Sequence, residues 1–458
     1  RASRALDSMR MTFIAFAPCG WRSGVEPLWS KVLQSQRTAR PSAGAGVIAP
    51  RHPQRFAAVA ELKSSLSEDL MDLELEDSSQ ATALTVELSN LATDSTPNTD
   101  LLQGVGAAIG QAVADLEANA AGAATISEDS ATVLTGSNAA ASLTLTSEGG
   151  DITDVAGSTN VVISGLATFN ASAIDVGGDP ADTTTFGTVT FVSGGAVVIS
   201  ETNDTNIAGA NTAGSLDFDS AGNLVDDGGA TIVVGNNADL DGSTITIDGA
   251  TVEFGSVTFN SAGAVEIHET NATEVSNGGA GSNTADSLIL DSAGALTDAT
   301  GADVVVTDNA NLTGTSITLG GDVGDNTRFG TLTFTSVAGV DIDETDGTAF
   351  LGTSTGVSIK VTSGGAMSDV GADASDEITG TDLELIASTG VGDGSGGANA
   401  LDIDVTNLAA TTATGDINVI DTAGGLTVTT LGGTVGVSVT AGAVGDDVTV
   451  TASSPLTV

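Results

Sequence analysis

From about Thr125 onward, apolar and polar residues alternate, the pattern of a half-buried β-strand. Ser142-Leu143-Thr144-Leu145-Thr146-Ser147 shows it, and 215–220, 287–292 and 358–363 repeat it. A second strand, Phe186-Gly187-Thr188-Val189-Thr190-Phe191, returns at 254–259 and 329–334. Between these lie Val161-Val162-Ile163, Ile232-Val233-Val234 and Val304-Val305-Val306, with shorter strands at 245–247 and 317–319. Gly, Asn, Asp and Ser punctuate the runs and mark turns.

A longer beat overlies the alternation. Ile126-Ser127-Glu128-Asp129-Ser130-Ala131-Thr132 returns as Ile199-Ser200-Glu201-Thr202-Asn203-Asp204-Thr205, then at 267–273 and 342–348. The starts are 73, 68 and 75 residues apart, which signals a repeat architecture. Each unit holds several short strands and no helical span to serve as a crossover, so the spacing predicts a coil of parallel strands. The expected fold is all-β, an elongated parallel β-helix (β-solenoid), read as right-handed. At roughly 20–25 residues per rung, a unit covers about three rungs and some 330 residues would give about 14. On that count Phe186, Phe254 and Phe329 fall on one line, with the Phe rings filling the core.

The ends of the chain differ from the middle. Residues 1–60 read as a basic leader, either targeting or disordered. Met9-Arg10-Met11 and the apolar 12–17 fit a short export signal, and the Arg-rich, acid-poor composition also fits an organellar transit peptide. Residues 61–124 read as a helical cap or linker. Leu62, Leu66, Leu70 and Leu73 share one helical face, and a second candidate runs over about 100–119. The solenoid proper is expected over 125–370, and 371–458 continues it with shorter repeats. There Leu426-Thr427-Val428-Thr429, 437–440 and 448–451 recur every 11 residues and read as three imperfect rungs. No capping element follows them, so further chain or a partner is expected to cover the last strand.

Charge narrows the functional classes. The net charge is −47, and ten of the twelve Lys and Arg lie in residues 1–63, leaving Arg328 and Lys360 beyond. Such a field repels nucleic acid and anionic lipid and attracts cations. No 18-residue apolar run predicts a transmembrane helix. The single Cys19 excludes an intrachain disulfide.

Candidate chemistry is sparse. Stacked Glu128, Glu201, Glu269 and Glu344 could hold Ca²⁺ between units, but three rungs place them about 14 Å apart, too far to share an ion. They are therefore read as strand ends on solvated corners. Asn237-Ala238-Asp239-Leu240-Asp241-Gly242, with Asp248 twelve residues into the loop, resembles an EF-hand Ca²⁺ loop without its helices. Asp239, Asp241 and Asp248 are thus the weak metal candidates, with Ca²⁺ the only cofactor to consider. The 392–397 stretch is a lone echo of a Ca²⁺ nonapeptide. His268 replaces Ser200 and Asp343 at the same repeat position, which favours an exposed, non-catalytic histidine. The Thr-x-Thr pairs at 427/429 and 449/451, with Ser438/Thr440, offer a hydroxyl array of the ice-binding kind or ordinary solvent-facing strand residues. No catalytic residue is assigned.

The Ile-x-Glu phrases, the Phe-Gly-(Thr/Ser)-(Val/Leu)-Thr-Phe strands and Thr414-Gly415-Asp416-Ile417-Asn418-Val419 resemble the repeats of large bacterial surface proteins of the filamentous-haemagglutinin and autotransporter type. The resemblance covers about 125–458. It implies an exported, extended scaffold for attachment or surface coating. The expectation is a non-enzymatic extracellular or cell-surface protein whose partner is a surface or glycan ligand or a further copy. A carbohydrate-active β-helix enzyme and an ice-binding solenoid are the alternatives, and an organelle is the alternative location.

Overall fold

Alternation alone dictates which side of each strand is dry. In Ser215–Ser220, Leu216 and Phe218 are buried while Asp217 and Asp219 face solvent. A chain of such strands hides its apolar side by coiling so that successive turns pair edge to edge. The structure is a computed structural model that describes residues 84–86 and 119–458, apart from 156, 279–282, 372–374, 393–399 and 443. Within the unit spanning 62–458, the described strands form a β-solenoid of about 13 turns. Every described pairing in it is parallel except one small hairpin, Thr430–Leu431 with Thr434–Val435. The helical candidate at 56–76, and all of that at 100–119 except its last residue, lie outside the described residues; that residue, Asn119, makes a parallel bridge to Ala139. Between the two candidates, Leu84–Val86 is a strand that pairs with Ala123–Glu128.

The coil has two broad faces. On the first, Ala123–Glu128 is followed rung by rung by Ser142–Ser147, the 167–170 and 188–193 segments, Thr205–Ile207, Leu224–Asp226, Ile245–Ile247 and Val265–Glu269. The second face runs in the same way from Ala196–Glu201 through Ser215–Ser220, 238–241, 256–261, Thr273–Val275, Ala295–Asp298 and Ser316–Leu319 to Gly339–Glu344. Each path takes seven steps between alternate copies of the Ile-x-Glu phrase. A unit therefore occupies three and a half turns, not three, and consecutive phrases lie on opposite faces.

The half turn arises because the turns are unequal. Some carry a third, lateral strand between the faces. Leu143 stacks on Ala167 and Ala167 on Val189, steps of 24 and 22 residues. Where the lateral strand is missing, Val189 stacks on Ile207 after only 18. The lateral strands form short stacks. Ser137–Ala140, 160–163 and 183–186 make the first. Ala210–Ala213, 231–234 and 251–254 make the second. Thr284–Ala285, 303–306 and 326–329 make the third, and Ser354–Thr355 begins a fourth. In chain order the first and third stacks precede a strand of the first face, while the second and fourth precede the second face. They consequently lie on opposite edges. This corrects the expectation of one Phe line: Phe186 and Phe329 share an edge and Phe254 lies on the other. The expected burial of the rings is observed, with Phe186, Phe191, Phe254, Phe259, Phe329 and Phe334 all in the core.

Beyond the first rung of each stack the lateral strand runs straight into a face strand, as in Asn160–Ala171, where the register shifts between Ile163 and Leu166. The Phe-Gly step marks this corner. A Cβ on Gly255 would stand 2.6 Å from the Gly235 carbonyl oxygen and 2.8 Å from that of Asn236. Backbone oxygens cannot step aside cheaply, so Gly255→Ala is expected to cost about 1–3 kcal/mol, read as a lowered midpoint in chemical denaturation.

The 11-residue beat near the end is not a stack. Thr427–Val428 and Val437–Val439 both pair with Leu401–Thr412, and Val448–Ala452 pairs with Ile417–Asp421. Eleven residues are about half a turn, too few to return to the same line.

Candidate functional site

The repeated glutamates are buried, which overturns their reading as solvated corners. Glu128, Glu201, Glu269 and Glu344 are 1%, 3%, 3% and 4% exposed. The pairings explain why. At the top of each lateral stack the next turn brings no strand to receive the last backbone groups. Glu201 fills that gap: its Oε2 accepts the Phe186 amide at 2.8 Å. The next residue completes the cover, with the Thr202 amide and hydroxyl both donating to the Thr184 carbonyl. Glu269 caps the Phe254 amide and Glu344 the Phe329 amide, both at 3.1 Å, with Thr270 and Thr345 repeating the role of Thr202. Glu-Thr is thus a stop signal for a lateral strand stack.

The stack has a matching start signal. Asn211 Oδ1 accepts the Phe191 amide at 2.9 Å, and its Nδ2 donates to the carbonyls of Ala208, Gly209 and Thr231. Asn283 Oδ1 caps Phe259, and the Ser354 hydroxyl accepts from Phe334. These residues follow the repeated Gly-x-Asn/Ser of 136–138, 209–211, 281–283 and 352–354, a signal that the alternation of strands hides. Gly209, with φ of +74°, provides a left-handed turn that the side chains of most residues resist.

The capping carboxyls carry an electrostatic cost. Burial pushes Glu201 and Glu269 up to about 7 and Glu344 to about 8, against the pull of the capped Phe amides. The hydroxyls of Thr205, Thr273 and Thr348 stand beside them and lower the shift, yet outside hydrogen-bond geometry. In each pair the glutamate Oε1 and the threonine Oγ1 are left without a partner. A protonated carboxyl would donate its proton to that hydroxyl and satisfy both. Glu128 differs: its carboxyl accepts from Thr132 at 3.0 Å and from Ser130 at 3.3 Å. Burial still raises it.

The candidate calcium loop is not a loop. Asp239 and Asp241 lie on one strand, Thr231–Gly242, and face the same way. They stack on Asp217 and Asp219 of the preceding rung. Asp241 is pushed up to about 7 by burial and by the facing Asp219 carboxyl. Asp248 follows Ile245–Ile247 on the other face, and its amide donates to Asp226 at 2.9 Å. Asp239 and Asp241 share one side of their strand, and the turn at 243–244 carries Asp248 to the other face, so the three do not converge. No three metal-ligand side chains converge among the described residues. The nonapeptide echo falls largely at 393–399, outside the described residues.

His268 lies on the first face between two carboxylates, with Nε2 2.9 Å from Glu266 and Nδ1 3.2 Å from Asp291. Burial opposes its charge, but these two bonds raise it above the usual imidazole range. The hydroxyl array moves as well. Thr125, Thr144, Thr168 and Thr190 stack on four successive rungs, whereas Thr427, Ser438 and Thr449 do not meet. No described helix is long and apolar enough to cross a membrane. No protein family, curated protein or solved structure matches this chain.

Proposed function

We propose that the coil is a non-enzymatic structural scaffold of the extracellular or cell-surface kind, attaching to a surface or glycan ligand or to further copies of itself. The observation that carries this reading is the in-register repetition of outward chemistry. Rungs about 4.8 Å apart set like side chains above one another. Hydroxyls repeat along Thr125, Thr144, Thr168 and Thr190, and carboxylates along Asp217/Asp239 and Asp219/Asp241. Such rows suit many weak contacts summed over a length better than one turnover site. The resemblance to bacterial surface repeats points the same way. The test is retention of the labelled chain on glycan-coated surfaces, on cells and on immobilised chain. Retention on any of these in physiological salt is the expected result. Failure on all three, together with turnover of a polysaccharide, would replace the scaffold with an enzyme.

A second reading, ordering of water, is favoured by the four-rung threonine ladder alone. Thermal hysteresis that is lost on Thr144→Leu and Thr168→Leu would establish it.

A further inference from the structure

The hairpin near the end of the chain folds back over the second face and walls a groove of about 460 Å³. Its floor is a column of stacked residues. Thr318 pairs with Asp341, Asp341 with Lys360, and Lys360 with Glu384. Leu431 and Gly432 form the overhang. Gly432 has φ of +54°, and a Cβ there would stand 2.0 Å from Glu384 Oε2, so the tip closes directly on that carboxylate.

Glu384 is the unusual member. It is 6% exposed and accepts no hydrogen bond among the described residues, yet it lines the groove. Lys360 contributes a favourable charge from the adjacent rung, but its ammonium is already engaged by Asp341 at 2.9 Å and lies 3.7 Å from Asp343. Asp382, on the same strand as Glu384, has one oxygen held by Asn407 at 2.7 Å. The lining thus holds three carboxylates, Asp341, Asp382 and Glu384, against one ammonium. A carboxylate that the chain itself gives no donor is open to one that enters the groove, and a hydrogen bond to a charged acceptor is stronger than one between neutral groups. The volume exceeds the need of a bare ion and suits a small organic group.

We propose that this groove binds an alkylammonium or guanidinium cation, with Glu384 as the anchoring carboxylate and Asp382 accepting from the same group. The cation is either a free amine or the basic side chain of a peptide, which present the same donors. The site stands whether or not the coil is a scaffold.

The experiment is calorimetric titration of the full chain with spermidine and, separately, with the tripeptide Gly-Arg-Gly, in 150 mM salt to screen diffuse attraction. Saturable one-to-one binding of at least one probe is expected. Glu384→Gln should weaken it tenfold or more, since a hydrogen bond to a charged group is lost. Lys360→Met removes the competing ammonium and should tighten it several-fold, a gain that misfolding cannot produce. Asp239→Asn, on distant rungs, should leave it unchanged. Tighter spermidine binding identifies a free amine, and tighter tripeptide binding a side chain. Absence of saturable binding, an unaltered Glu384→Gln, or an equal loss in Asp239→Asn would overturn the proposal.

Discussion

The triple variant E201Q/E269Q/E344Q is expected to melt well above the parent chain at pH 8.5 and at nearly the same temperature at pH 4.5. The sign follows from proton linkage. Each folded carboxyl titrates higher than its ordinary value of 4.5, so the folded coil holds protons that the unfolded chain has released. The stability contributed by these groups is complete below about pH 4.5 and is lost as pH rises through 7 for Glu201 and Glu269 and 8 for Glu344. At 1.36 kcal/mol per unit the loss is about 3 kcal/mol at each of the first two and about 5 at the third. Burial is the dominant cause at all three. No charged neighbour contributes at Glu201 or Glu269, while Asp346 adds repulsion at Glu344. Glutamine keeps an oxygen for the Phe amide and carries no charge at any pH. Its amide NH₂ can also serve the unpartnered threonine hydroxyl. The difference between variant and parent therefore removes the general repulsion among surface carboxylates from the comparison. Thermal melts by circular dichroism at the two pH values provide the measurement.

Phe191→Ala is the second large effect, expected to cost about 3–5 kcal/mol at any pH. The ring is fully buried, is paired in register with Phe169, and meets Phe218 across the core at a centroid distance of 6.4 Å. The interior is one narrow layer of Val, Ile, Leu and Phe, so neighbouring turns cannot collapse into a ring-sized void without breaking their strand pairing. Because each turn touches only its neighbours, the damage should be local. Hydrogen exchange is expected to accelerate around 166–171, 188–193 and 215–220 and to stay slow at 378–387. Uniform loss of protection along the coil would show instead that the turns unfold as one unit.

Much of the fold could be read from the chain because a strand that buries one side announces itself every second residue. Leu143/Leu145, Leu216/Phe218 and Leu288/Leu290 all point inward as their alternation requires. Parallel coiling followed from the lack of any span long enough for a helical crossover. The turn count per unit did not, because it depends on which turns carry a lateral strand. That choice is made by Gly-x-Asn at one end and Glu-Thr at the other, through contacts 15 to 24 residues apart in the chain. For the same reason the glutamates looked like surface residues: a charged residue next to Thr and Asn reads as a corner until the uncovered amide beneath it is seen. Asp239 and Asp241 misled in the opposite direction. Their spacing fits a metal loop, but Leu240 between them is a core residue, and that fixes the stretch as strand. The Glu384 groove was invisible in sequence, because it needs a hairpin to fold back over strands that lie from about 50 to more than 100 residues earlier.

Spin labels at positions 185 and 253, in a chain with Cys19 replaced, test the alternation of the lateral stacks directly. Both positions are outward residues of lateral strands, the first on one edge and the second on the other. Separation by three and a half turns along the axis, plus the width of a six-residue strand across it, gives about 26 Å. A distance distribution centred in the mid-twenties or beyond is the predicted outcome. Strong dipolar broadening at about 14 Å, the spacing of three turns on one edge, would mean that the units stack in line and that the glutamate stop signal does not turn the coil.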